Sequence, residues 1–188
     1  MRIRLKYKSI TSLVSNQSIA LVVLVNEDET KQIAITCDEV MAQEILLRQS
    51  HETGIERRLP EVFAHFLALQ MDDPYEVVIN NVIDGEYRAL LTDHSGIDMV
   101  PIRAIDAILL AIAAHLSIFI EEELMTMQQV DFHNSGDSMQ MPINGISEEM
   151  LEEALKKAIE NENYEMASHL RDELNRRKQG DNQTDATE

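Results

Sequence analysis

The segment Tyr75–Thr92, YEVVINNVIDGEYRALLT, decides how this chain is built. Two runs rich in Val, Ile, Leu and Tyr flank Asp84-Gly85, a dipeptide suited to the positive φ of a tight hairpin turn, so strands are expected over Tyr75–Ile83 and Glu86–Thr92. Toward the N-terminus, Ser18–Val25 and Lys31–Thr36 flank the polar Asn26–Thr30 and read as another hairpin. Arg2–Lys8 alternates apolar and basic residues, which predicts a half-buried strand. Its polar face is a ladder of four cations (Arg2, Arg4, Lys6, Lys8), expected to be solvated and to discourage edge pairing.

Helical patterns separate these strand pairs. Asp38 is a plausible N-cap for a helix to about Gln49, with Val40, Met41, Ile45 and Leu46 expected to face inward. After a polar loop, His51–Arg58, Leu59-Pro60 opens a second helix to about Met71, expected to bury Val62, Phe63, Phe66 and Leu67 and to end at Asp72-Asp73-Pro74. Beyond Thr92, a strand is expected over Ile97–Ile102, then a buried helix over Arg103–Leu116 and a strand over Ser117–Ile120, closed by Glu121-Glu122-Glu123. Hairpins interrupted by helices, rather than a regular β–α alternation, imply an α+β fold: a mainly antiparallel sheet with packed helices.

The C-terminal part is organised differently. In Leu151–Leu174, LEEALKKAIENENYEMASHLRDEL, one apolar stripe runs through Leu151, Leu155, Ala158 and Ile159 and another through Tyr164, Ala167, Leu170 and Leu174. Asn161-Glu162-Asn163 separates them, so a C-terminal antiparallel helical hairpin is expected. Two short helices bury little surface alone, so these stripes are expected to need another apolar surface. The resulting division is an α+β domain over 1–129, a linker over 130–146, the hairpin over 147–178 and a disordered tail over 179–188.

Sixteen basic and 34 acidic residues give a net charge of −18. Residues 1–130 contribute 10 and 20 of these, and residues 131–188 contribute 6 and 14, so the acidity runs through both parts. Such a field repels a polyanion, and any nucleic-acid role depends on a local basic patch or on bound cations. The lone Cys37 excludes an internal disulfide and a thiolate metal cage. MRIRLKYKSI lacks the apolar core of a signal peptide, and the apolar stretch Ile105–Ile120 carries Asp106 and His115, so a cytoplasmic protein is expected.

Two resemblances follow from the residues. Leu151, Ala158, Tyr164-Glu165, Ala167 and Leu170-Arg171-Asp172-Glu173 resemble the UVR motif shared by subunits of bacterial excision-repair nucleases and by some adaptor proteins. That resemblance implies docking, with Leu155, Tyr164, Ala167, Leu170, Arg171 and Leu174 expected to meet a UVR-containing or other protein partner. Arg103-Ala104-Ile105-Asp106-Ala107-Ile108, followed by Ile118-Phe119-Ile120 and Glu122-Glu123, resembles the bifunctional nuclease family over roughly residues 10–127. Members often carry an Arg-Pro segment with a nearby His-Asp pair where this chain reads Arg57-Arg58-Leu59-Pro60-Glu61-Val62. The resemblance implies DNA and RNA as substrates, cation-assisted phosphodiester hydrolysis and a homodimer; the alternative is a non-enzymatic adaptor or scaffold in DNA repair or stress response.

Phosphodiester hydrolysis needs an activated water, charge stabilisation at phosphorus and usually one or two hard cations such as Mg²⁺ or Mn²⁺. The catalytic candidates are Arg103, Asp106, Glu122 and Glu123, with Asp106 and Glu122 as metal ligands. Arg103 and Asp106 stand three apart, so they share a helix face and also suit a plain ion pair at a helix start. His51, His94, His115, His133 and His169 show no ligand spacing, and the six glycines form no phosphate loop.

Overall fold

The computed structural model describes residues 1–12, 19–50, 54–69, 75–93, 95–132 and 147–184. Eight strands form one sheet in the order β6-β5-β4-β7-β1-β2-β3-β8. The strands are β1 Arg2–Ser12, β2 Ile19–Asn26, β3 Lys31–Asp38, β4 Glu76–Ile83, β5 Glu86–Thr92, β6 Met99–Arg103, β7 Ser117–Glu121 and β8 Val130–Asp131. Among the described residues six α-helices accompany them: α1 Glu39–Gln49, α2 Leu59–Leu69, α3 Ala104–Ala114, α4 Glu122–Gln128, α5 Glu148–Glu160 and α6 Tyr164–Thr184. Every strand pairing is antiparallel except β4 with β7, which the α3 crossover makes parallel. This is the expected α+β fold with its C-terminal helical hairpin. No helix among the described residues is long and apolar enough to cross a membrane.

Both hairpin turns follow from their residues. Asp84 and Gly85 take φ values of 51° and 83°, the left-handed pair that a two-residue turn between twisted strands requires. At the β2–β3 turn the Asn26 side-chain oxygen accepts from the amides of Thr30 (2.9 Å) and Lys31 (3.0 Å), holding the chain reversal in place of a longer ladder.

The basic strand β1 is not at an edge; it lies between β7 and β2. The two-residue period of the strand puts its cations on one face, where neighbouring elements supply anions. Arg2 pairs with Glu76 and Glu121, Arg4 with Glu27, and Lys8 with Glu29 at 2.6 Å, while Lys8 also lies 5.4 Å over the Phe132 ring. The ladder is therefore a seam of ion pairs.

Helix α3 organises the core. Ala104, Ala107, Ile108, Leu109, Leu110 and Ala111 are all buried, and the helix packs on α1 and α2 as well as on β3 through β7. A helix buried nearly all round needs the Ala/Ile/Leu composition found here. His115 ends it in the left-handed region (φ 55°), where the Leu116 amide bonds the Ala111 carbonyl at 3.0 Å. Asp38 caps α1 as expected, accepting from the Met41 amide at 2.8 Å.

Several burial expectations are corrected. On α1, Ala42, Ile45 and Arg48 face inward, whereas Val40 and Leu46 are exposed. On α2 only Leu67 is buried; Val62, Phe63 and Phe66 lie outward. The bulky stripe is turned away because small or slim residues, Pro60 and Ala64 beside Leu67, form the side that approaches α3. The run Glu121–Glu123 leads into α4, whose Leu124, Met125 and Gln128 are buried, and Val130–Asp131 adds β8 to the sheet edge beyond β3. The segments His51–Thr53, Asp72–Pro74 and 133–146, covered by loop and linker expectations, lie outside the described residues.

The α5–α6 hairpin has its own small core of Leu151, Ala158, Ala167, Leu170 and Leu174, with Ala154 and Leu155 packed against it. The two helices pack on one another through these residues, while Ile159 and Tyr164 of the same stripes stay exposed. Helix α6 also continues to Thr184, past the Lys178 boundary assigned to the hairpin.

Candidate functional site

Three pieces of chain meet at the start of α3. The end of β3 (Ile35 to Asp38), the β4–β5 turn with the start of β5 (Gly85 to Tyr87) and the residues Arg103 to Ile105 line a cleft of about 520 Å³. Ser147 and Glu149, at the start of α5, complete its wall. Strands β3 and β5 stand well apart in the sheet order, so the cleft exists because the sheet curls around α3.

Arg103 occupies the N-cap position of α3 without a side-chain capping bond, at the point where β6 ends. Its Nε donates to Asp106 Oδ2 at 2.6 Å, the i,i+3 geometry that the spacing predicts. The hydrogen bond from Arg103 to Asp106 and the Asp106 charge raise the guanidinium's pKa further, and Asp38 and Glu86 add to it. Arg103 is thus the cation at the centre of an acidic cleft mouth. Its side chain is 64% exposed and Asp106's is 33% exposed, so both reach solvent.

The deeper wall is less reactive. Cys37 is buried, and desolvation, followed by the Asp38 charge, pushes its thiol up to about 11. Burial likewise raises the Tyr87 phenol well above its ordinary range, and its hydroxyl donates to Gln128 Oε1 at 3.1 Å.

The sequence candidates divide between two places. Arg103 and Asp106 are brought together. Glu122 and Glu123 lie in the first turn of α4, beyond the end of β7, and Glu122 faces the N-terminal amine at 3.9 Å. Register puts both groups at the same end of the sheet: Arg103 pairs with Arg88, and Ile120 with Ile79. From β6 to β7 there are three strand spacings, about 14 Å along the sheet. Among the described residues no group of three or more His, Cys, Asp or Glu side chains is arranged to hold a metal ion. Asp106 and Glu122 as they stand do not fit a protein-built cation cage.

Asp38 and Glu86 face Arg103 but were not identified as site residues from the sequence. Asp38 announced itself only as a helix cap, and Glu86 only as the residue after a turn. A second cavity of about 660 Å³ lies where β7 stops short beside β1, lined by Lys6, Tyr7, Arg48, Glu61, His115 and Ser117 among others. Its one deeply buried cation, Arg48, is already matched by Glu44 and Glu61.

On the hairpin, Ala167, Leu170 and Leu174 are buried between α5 and α6, and Leu155 packs against them. Tyr164 and Arg171 are exposed, as are Ile159 and Met166. Arg176 of α6 lies 3.5 Å from Asp84 in the β4–β5 turn.

No curated protein sequence matches the chain. The family model for the bifunctional nuclease domain matches residues 22–133, from β2 through the residues following β8, and the match includes Arg103, Asp106, Glu122 and Glu123. The helical hairpin falls outside that span. With more than half of its length inside the match, the chain belongs to the bifunctional nuclease domain family.

Proposed function

We propose that this chain is a nuclease, hydrolysing phosphodiester bonds of DNA or RNA at the cleft where α3 begins. The carrying observation is Arg103, which lines that cleft and is ion-paired with the part-exposed Asp106 one turn along α3, in a member of the bifunctional nuclease domain family. The bond to Asp106 uses Nε, which leaves the Nη fork of Arg103 for two oxygens of one phosphate. Asp106, anchored by that same bond, orients a water and accepts its proton as the water oxygen bonds to phosphorus, while the P–O bond to the departing sugar oxygen breaks and that oxygen takes a proton from solvent. Arg103 offsets the charge that grows on the phosphate oxygens. Mg²⁺ or Mn²⁺ would arrive as counter-ions of the nucleic acid rather than in a protein cage, offsetting Asp38 and Glu86. Glu122 and Glu123 act outside the reacting centre in this reading, on the same rim of the sheet.

The test is cleavage of single- and double-stranded DNA and RNA by the full chain, with Mg²⁺, with Mn²⁺ and with chelator. Wild type should cut at least one substrate. Arg103→Ala and Asp106→Asn should each lower the rate about a hundredfold, the scale of a lost acid–base or electrostatic group. Glu122→Gln should retain most activity. Absence of cleavage by wild type, or full activity in both cleft variants, refutes the assignment.

A second reading, a non-enzymatic adaptor in repair or stress response, is favoured by the exposed apolar residues Ile159, Tyr164 and Met166 on a UVR-like hairpin. Here Tyr164 and Arg171 contact a partner's UVR-type hairpin directly, while Leu155, Ala167, Leu170 and Leu174 hold the two helices together. Tyr164→Ala and Arg171→Glu should then weaken capture of such a hairpin without lowering helicity. Unchanged capture in both rejects this face.

A further inference from the structure

We propose that the outward face of α2 is an interface between two copies of this chain, packed helix against helix about a two-fold axis. Leu59, Val62, Phe63, Phe66 and Leu69 fall at i, i+3, i+4, i+7 and i+10, one continuous stripe on the helix. All five are between 38 and 79% exposed. The helix is amphipathic in the inverted sense: its stronger apolar stripe meets water, while Leu67 alone is buried toward the core. Phe63 and Phe66 are already stacked, with ring centroids 6.5 Å apart and planes within 15°, so a flat aromatic surface is presented at little further ordering cost.

Charge selects the occupant. The chain carries −18, so a second copy is repelled by most of the surface. The α2 stripe contains no ionised residue. The helix's one carboxylate, Glu61, is turned inward to Arg48 at 2.7 Å, and His65 is the only titratable group left outside. A basic partner would be drawn to carboxylates, and among the described residues of α2 the outward stripe has none to offer. An uncharged stripe is complementary to itself, which is what a two-fold contact requires.

The area also fits. The five side chains leave on the order of 500 Å² of apolar surface in water, at the upper end for a typical monomer's largest patch. Pairing two such faces removes on the order of 1,000 Å², the lower limit for a specific interface before any rim contacts are added.

The experiment is sedimentation equilibrium of the full chain at tens of micromolar, with far-UV circular dichroism as the check on folding. Wild type should run as a dimer of 21.4 kDa chains. Phe66→Glu should raise the dimer dissociation constant about a hundredfold, as loss of an aromatic anchor does. Leu69→Glu, at the helix end and 70% exposed, should act in the same direction and serves if Phe66→Glu perturbs folding. Ile159→Glu, on the hairpin, should remain dimeric. A monomeric wild type, whose α2 face would then await a different partner, overturns the proposal. So does a dimer that survives both α2 substitutions or one that Ile159→Glu alone dissolves.

Discussion

Arg48 on α1 and Glu61 on α2 form a buried ion pair that fastens the two helices together. The Arg48 side chain is 3% exposed and the Glu61 side chain 15%. Nη2 donates to Glu61 Oε2 at 2.7 Å, while Nε and Oε1, also 2.7 Å apart, attract by charge without hydrogen-bond alignment. Glu44 accepts from Nη1 at 3.0 Å, and its carboxyl is held below the usual range first by that hydrogen bond and then by Arg58. Two guanidinium groups and two carboxylates thus close a neutral network.

Removing one partner of such a pair strands the other. Glu61→Ala should cost about 3 kcal/mol, moderated by the surviving Glu44 contact, whereas Arg48→Met with Glu61→Leu should restore much of that loss. Urea unfolding of the three chains checks this. Equal destabilisation in the single and double variants contradicts it.

Glu173 should make the hairpin acid-sensitive. The hydrogen bond from Arg176, then that from Arg177, depresses its carboxyl to about 2. The folded pKa is below the unfolded one, so this contribution is present in full above about pH 4.5 and is lost as pH falls toward 2. Part of the carboxyl is solvated, so the contribution is on the order of 1–2 kcal/mol. Helicity of α5–α6 followed by circular dichroism from pH 6 to 2 should fall earlier for wild type relative to its own neutral value than for Glu173→Gln. Parallel curves would remove Glu173 from the account.

Cys37 should be chemically quiet in the native protein. Its thiol is buried against the core and its pKa is pushed up to about 11, so little thiolate forms near pH 8. A chromogenic disulfide reagent should react at least about a hundredfold faster in denaturant than in buffer. Rapid labelling of the native chain would mean that the α3 cleft opens to its inner wall.

Local chemistry was readable from the residues, and long-range placement was not. The Asp84-Gly85 turn, the Asp38 cap and the Arg103–Asp106 pair each depend on residues at most three apart, and all three are found. Hydrophobic period identified the α2 stripe but could not say which side of the helix meets α3, because Pro60, Ala64 and Leu67 form an alternative, slimmer face. The place of β1 between β7 and β2 depends on a pairing across more than a hundred residues, so alternation alone left it resembling an edge. Glu86 reaches Arg103 from the paired strand, two residues along β5 from Arg88, and Asp38 reaches it from the distant strand β3; both approaches depend on sheet pairing that no sequence window contains.

The central position of β1 has a cost during synthesis. Arg2 aligns with Glu121, so one flank of the first strand made stays open until almost the last strand of the sheet has left the ribosome. Closure of so distant a contact makes assembly late and cooperative. In the interval the bare backbone is flanked by Arg2, Arg4, Lys6 and Lys8, whose mutual repulsion keeps two nascent chains from zipping together. Arg2, Arg4 and Lys8, which later pair across the finished seam, thus serve first, with Lys6, as guards against aggregation.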